Sequence, residues 1–157
     1  MRTENDFNAY LSKEFRKTVP TVHFSKVSDK HIAGIPDFLL WSSSTSRGLE
    51  SKMISGFPKT GRGRVLTKHP FTPKQLSYMS HMEKTGNHAF GVIYCKENNF
   101  MYVVRRNHIP ESGNWTKAEF QEAVTSGQFK VLLKSETQEL LRVMFKTYAK
   151  NGGWDEH

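Results

Sequence analysis

Apolar residues recur along this chain with two periods. Phe7, Leu11 and Phe15 fall four apart, the spacing of one helical face. Thr3 stands before them as a cap, and Glu4 falls in the first turn, where the helix dipole favours an acid. Val19 to Phe24 alternates as a strand does. Asp37 to Trp41 reads as a short buried strand after Pro36, Ser42 to Gly48 as a turn or loop, and Leu49 to Ile54 as the returning strand. Thr72-Pro73-Lys74-Gln75 opens a second helix, with a Thr cap, Pro at the first position and Gln at the third. It runs to about Thr85, where Gly86 stops it. Ala89 to Cys95 and Phe100 to Arg105 form two strands around a turn at Glu97-Asn98-Asn99. Thr116 with Glu119 caps a helix to about Ser126. Ser135 with Gln138 starts the last one, with Leu140, Leu141, Met144, Phe145 and Tyr148 on one face. This order predicts one α/β domain over residues 1–150, a mixed central β-sheet flanked by helices. Residues 151–157 read as a loose tail.

Composition narrows the class. No apolar run approaches the roughly 18 residues of a membrane span, so no membrane association is expected. The N-terminal MRTENDFNAY carries acids and no hydrophobic stretch, unlike a secretory signal. The single cysteine, Cys95, excludes an internal disulfide framework and a cysteine-based zinc cluster. A cytoplasmic setting is expected. Lys and Arg number 23 against 15 Asp and Glu, a net +8 that favours polyanionic partners. Ser51 to Met82 contains no acid, while Lys52, Lys59, Arg62, Arg64, Lys68 and Lys74 all lie there. Much of that block, Ser55 to Phe71, reads as an extended loop, poorly ordered without a ligand. Loops of this length inside a compact domain are usually functional or disordered.

The block begins beside two carboxylates. Successive side chains of a strand point to opposite faces, so Glu50 and Lys52 share one face and Leu49, Ser51 and Met53 the other. If Asp37 begins the neighbouring antiparallel strand, its carboxylate reaches Glu50 at one end of a hairpin. Two carboxylates so close repel unless a cation lies between them. Mg²⁺ suits the place, since it keeps several waters and binds through one or two carboxylates. Such an ion lowers the pKa of a water and neutralises charge on a phosphoryl oxygen. Lys52 can orient that water or stabilise the developing charge.

Pro36-Asp37, twelve residues, then Glu50-Ser51-Lys52 resembles the PD-(D/E)XK nuclease signature. Gly34-Ile35-Pro36-Asp37 looks like the form found in its VRR-NUC and phage-type branches. Thr3 to Asn8 resembles the N-terminal helix of RecU-type Holliday-junction resolvases, whose acid joins the metal site. Glu4 takes that place here, with Glu14 a less favoured candidate. Gly56-Phe57-Pro58 and Phe71 to Met79 resemble the same group's region after the catalytic strand, where a helix carries a Gln facing the active site, here Gln75. Gly86 and Ala89 to Ile93 fit the glycine and strand that follow. The resemblance spans roughly residues 4 to 95. It implies a restriction-endonuclease-like fold and a Mg²⁺-dependent DNA endonuclease, Mn²⁺ substituting, that resolves Holliday junctions as a homodimer in recombination or repair. Asp37, Glu50, the Ser51 carbonyl and Glu4 would hold metal, and Lys52 would activate water. Lys59, Arg62, Arg64, Lys68 and Lys74 would draw in branched DNA. The compact size and motif variants point to a phage or mobile-element source. The chain departs from the pattern at Ser51, usually apolar, and in its longer, more basic loop after Gly56.

Each residue also has a plainer explanation. Pro-Asp pairs open turns. Glu50 and Lys52 make an ordinary ion pair if their face is solvated, worth roughly 0–1 kcal/mol. Gln75 is accounted for by capping, and Tyr78 by the core. Lys30, His31, Arg105 and Arg106 read as phosphate contacts or as loop and strand-end residues. Cys95 reads as a buried hydrophobe. The histidines show no metal-ligand spacing, which disfavours HNH and zinc nucleases. Two rivals remain: a nuclease of this fold cutting flap, nicked or linear DNA, and a DNA-binding protein without catalysis.

Overall fold

The computed structural model describes residues 2–17, the backbone of 23–26, and residues 34–42, 45–146, 148 and 154. The start of the expected first strand, residues 19–22, lies outside them, as do Lys30 and His31. The elements in chain order are α1 (Glu4–Phe15), β1 (His23–Lys26), β2 (Phe38–Ser42), β3 (Thr45–Ile54) and α2 (Pro73–Lys84). There follow β4 (His88–Cys95), β5 (Phe100–Arg105), a 3₁₀ turn (Arg106–His108), α3 (Lys117–Thr125), β6 (Phe129–Leu133) and α4 (Thr137–Met144). The strands form one six-stranded sheet in sequential order. β3 and β4 run parallel and every other pair antiparallel. The parallel step needs a crossover, which the 55–71 segment and α2 supply.

Side-chain alternation splits the core in two. Phe38, Leu40, Leu49, Phe90 and Val92 meet α1 and α4 on one face, through Phe7, Leu11, Leu140 and Met144. Ile54, Ala89, Ile93 and Val104 meet α2 and α3 on the other, through Leu76, Met79 and Phe120. This is the α/β, restriction-endonuclease-like arrangement expected from the sequence: a mixed central sheet with helices on both faces. The capping boxes at Thr3, Thr72 and Thr116 all form.

Several expectations need correction. β3 begins at Thr45, inside the predicted turn, and pairs with β2 out to Ser42. Arg47 hid this strand. It is buried, and its Nε donates to the Met144 carbonyl at 2.7 Å. The strand β6 was not foreseen. The last helix is capped by Glu136 rather than Ser135, without a side-chain cap. Its carboxylate instead accepts from the Leu133 amide at 2.7 Å. Arg105 and Arg106 are buried and face inward. Arg105 pairs with Glu83 at 3.0 Å, and Arg106 donates to the Leu76 carbonyl at 2.9 Å and pairs with Glu111. Of the expected loose tail, Trp154 alone is described. It is packed between Phe90 and Tyr148 and donates to the Gln128 carbonyl at 2.8 Å.

The segment after β3 carries no helix or strand, yet it is firmly held. Val65, Leu66 and Phe71 lie in the core. The Val65 amide donates to the Trp115 carbonyl at 2.9 Å, and the Asn114 side chain bonds both the amide and the carbonyl of Leu66, at 3.0 and 2.8 Å. One side-chain amide thus does for Leu66 what a neighbouring strand would do.

Candidate active site

β2 is shorter than β3. Its first residue, Phe38, pairs with Leu49, so β3 beyond Leu49 has no strand on that side. Backbone donors there need other partners. The Ser51 amide donates to Asp37 Oδ2 at 2.9 Å and the Met53 amide to Glu4 Oε1 at 3.3 Å. In a strand, one residue's N–H and C=O point to the same side, so the Ser51 carbonyl faces this open edge as well.

Asp37 stands one residue before the Phe38–Leu49 pair, which puts it opposite Glu50. Its amide donates to Glu50 Oε2 at 3.1 Å. Glu50 and Lys52 project to the α2 side. Gln75 Nε2 donates to Glu50 Oε1 at 2.8 Å, while Gln75 Oε1 accepts from Lys52 Nζ at 3.3 Å and from the Thr72 amide at 3.0 Å. Gln75 therefore caps its helix and bridges the site with the same amide. Lys52 Nζ lies 3.8 Å from Glu50 Oε1 and 5.2 Å from the centre of the Phe71 ring. That ring rests on Gly91, where a Cβ would stand 2.7 Å from it. Gly34 (φ +89°) presses against the first turn of α2, where a Cβ would lie 2.4 Å from the Lys74 carbonyl oxygen. The Gly-Ile-Pro-Asp turn and the helix carrying Gln75 are thereby held together.

Asp37, Glu50, Lys52, Gln75 and Glu4 line one cavity of about 380 Å³, with Lys68 and His69 at its edge. A solvated ion pair is not what the structure shows: Glu50 and Lys52 are each only 4% exposed. Burial, and then the negative charge of Asp37, push the Glu50 carboxyl up to about 8, with Lys52 opposing. Glu14 pairs with Lys17 at 2.6 Å and does not join this cavity. Arg64 and Lys68 border cavities, whereas Lys59, Arg62 and Lys74 are exposed on the surface. Tyr78 packs on the core and borders a different cavity.

The donors suit a hard divalent cation. Two carboxylates and a main-chain oxygen converge where an anion is costly, and Mg²⁺ completes its shell with water. No cage of three or more His, Cys, Asp or Glu side chains is gathered among the described residues. Glu4 instead lines the boundary between this cavity and a larger one.

Sequence reasoning assigned no role to Asn8, which is buried on α1 against Ser51. Ser51 Oγ contacts both Asn8 Oδ1 and Asp37 Oδ2, the latter at 2.9 Å. One hydroxyl proton cannot serve two acceptors. Turning the Asn8 amide over resolves the conflict: its NH₂ donates to Ser51, and Ser51 donates to Asp37. Asp37 Oδ2 then receives two bonds from Ser51 and is fixed in direction. Glu4, Asn8 and Ser12 recur at intervals of four beside the apolar face of α1. That polar stripe was the available signal.

The chain matches no protein-family model and no curated protein sequence. Among solved structures it is similar to Hjc, a Holliday junction resolvase from the archaeal hyperthermophile Archaeoglobus fulgidus. The two share 10% identity with a TM-score of 0.49, over 86% of this chain and 92% of that one.

Proposed function

We propose that this protein is a metal-dependent DNA endonuclease of the PD-(D/E)XK type that cuts branched DNA as a homodimer. One observation carries the reading: Asp37, Glu50 and Lys52 converge, two of them deeply buried, on a single cavity beside an acid-free basic segment. Asp37, Glu50 and the Ser51 carbonyl would hold Mg²⁺ or Mn²⁺, with Glu4 completing the site through water. Bound there, the ion supplies neutralisation at a phosphoryl oxygen and a more acidic water. Lys52, held by Gln75 and the Phe71 ring, would orient the attacking water or stabilise charge on the phosphate. Lys59, Arg62, Arg64, Lys68 and Lys74 attract the sugar–phosphate backbone, which carries little sequence information. Structure is then recognised in preference to sequence, and the resemblance to resolvases points to a four-way junction.

The test is cleavage of a synthetic four-way junction beside flaps and duplexes, with and without Mg²⁺. Metal-dependent, symmetrically paired nicks are expected, abolished by Asp37→Asn. A purified protein that cuts no DNA form with Mg²⁺ or Mn²⁺ refutes the reading.

The Asn8–Ser51–Asp37 chain makes a second prediction. A hydrogen bond to a charged group is worth about 1.5–3 kcal/mol. Asn8→Ala or Ser51→Ala should therefore raise the Mg²⁺ concentration for half-maximal cleavage about tenfold or more, and weaken Mn²⁺ binding in calorimetry alike. The two act in series, so the double variant should be little worse than the poorer single one. Additive losses would show that no such chain exists.

A further inference from the structure

A larger cavity, about 600 Å³, adjoins the candidate active site and shares Glu4, Lys68 and His69 with it. A strand with its phosphate at Asp37 and Glu50 would have the second cavity within reach of its neighbouring nucleotide. The walls of the second differ in kind from those of the first. Met53, Ile54, Phe57 and Leu66 offer apolar surface, and Arg2, Arg64 and Lys68 supply cations. All three cations are exposed, and neither Arg64 nor Lys68 forms an ion pair among the described residues. Phosphate alone needs no apolar wall, and an apolar ligand needs no cations. A nucleotide presents both, a flat base and a charged link, as single-strand binding sites require. The volume falls in the range of small-molecule sites. A base stacked and paired within a duplex cannot enter it.

The wall is built to last. The Asn114 side chain clamps Leu66 on both its backbone groups, and Trp115 holds Val65. The cavity is thus part of the fold and does not await a ligand to form it.

We infer that this cavity receives an unpaired nucleotide next to the linkage that is cut. The inference rests on the nuclease reading and sharpens it: within a branched substrate the cut falls where a strand leaves its helix with a base unpaired, a geometry that a splayed arm isolates. A continuous duplex would offer a phosphate to the carboxylates and nothing to the cavity.

Two measurements on the full chain separate this inference from the reading beneath it. The first compares Mg²⁺-dependent cleavage of a splayed-arm DNA with that of a fully paired duplex of the same cleaved sequence. The splayed arm should be cut at least tenfold faster. Ser55→Trp, at an exposed position lining the larger cavity and not the smaller, should bring the ratio near one. The second measures binding of a short fluorescent single-stranded oligonucleotide without metal, by anisotropy. Ser55→Trp and Arg64→Glu should each weaken it at least tenfold, and either variant suffices should the other fail to fold. If DNA is cut but the splayed arm has no advantage, or if a folded Ser55→Trp keeps it, the cavity assignment falls and the nuclease stands. If nothing is cut while the oligonucleotide binds and the variants release it, the cavity is a single-strand site, but the nuclease reading falls and the preference at the cut falls with it. Absence of any effect on binding overturns the assignment in either case.

Discussion

Exchanging Lys52 for methionine is expected to slow strand cleavage by about 10²–10⁴-fold at saturating Mg²⁺, the range for losing a positioned proton-transfer or charge-stabilising group. Methionine keeps an unbranched apolar stem in the slot between Gln75 and the Phe71 ring, so packing changes little. The ammonium is what disappears. Its loss acts twice. The developing charge on the phosphate loses its partner, and Glu50 loses the nearby cation that restrains its upward shift. Metal binding by Lys52→Met should therefore need a higher pH than in the parent. Arginine is a poor substitute. Its planar fork is wider than an ammonium, and Lys52 is only 4% exposed, in a slot closed by an aromatic ring seated on Gly91. Single-turnover rates across a Mg²⁺ and pH series separate the two effects. A Lys52→Met rate within threefold of the parent would remove Lys52 from the chemistry.

The carboxylate and lysine trio was legible because two local rules suffice for it. Strand alternation sets Glu50 and Lys52 on one face, and the Pro-Asp pair marks where the neighbouring strand begins. What stayed hidden involves contacts that no local rule reaches. The glycines and prolines of residues 55–71 signal a loose loop, but its anchor, Asn114, is 48 residues away from Leu66. Arg47 and Arg105 carry charges that read as surface, yet both are buried against partners brought in by tertiary packing. In β6 the burial pattern breaks alternation, because Val131 and Leu133 are exposed while Phe129 and Leu132 are buried. Gln75 shows a different difficulty. Capping and a place in the site were opposed as alternatives, but an amide has two ends, and here Oε1 serves the cap while Nε2 reaches Glu50. Asn8 and the Ser51 hydroxyl matter only once α1 is known to lie against β3.

Stability without metal should fall as pH rises from about 4.5 to about 8, and Mg²⁺ should reverse the fall. In the unfolded chain Glu50 titrates near 4.5, and in the fold at about 8. Between those values the folded state holds a proton that the unfolded state has released. Stability therefore decreases with rising pH in that window and levels off above it. At about 1.36 kcal/mol for each pH unit, the ceiling is about 4–5 kcal/mol. When present, that proton sits on Glu50, kept there by burial and by the negative charge of Asp37. A divalent cation at the same place substitutes two positive charges for one. Each Mg²⁺ bound at pH 6.5 should then release nearly one proton, and affinity should rise about tenfold for each pH unit below about 8. Calorimetry in buffers of different ionisation enthalpy counts the protons, and urea unfolding at several pH values gives the slope. Glu50→Gln should flatten that slope and abolish the response to Mg²⁺. Its gain in metal-free stability near pH 8 should fall short of the ceiling. The new amide meets N–H donors from Asp37 and Gln75 on both sides, and its own NH₂ opposes one of them, a conflict worth about 1–3 kcal/mol. An affinity for Mg²⁺ that is flat between pH 6 and 8, or a metal-free stability that climbs with pH there, would mean that Glu50 neither holds such a proton nor gives it up to an ion.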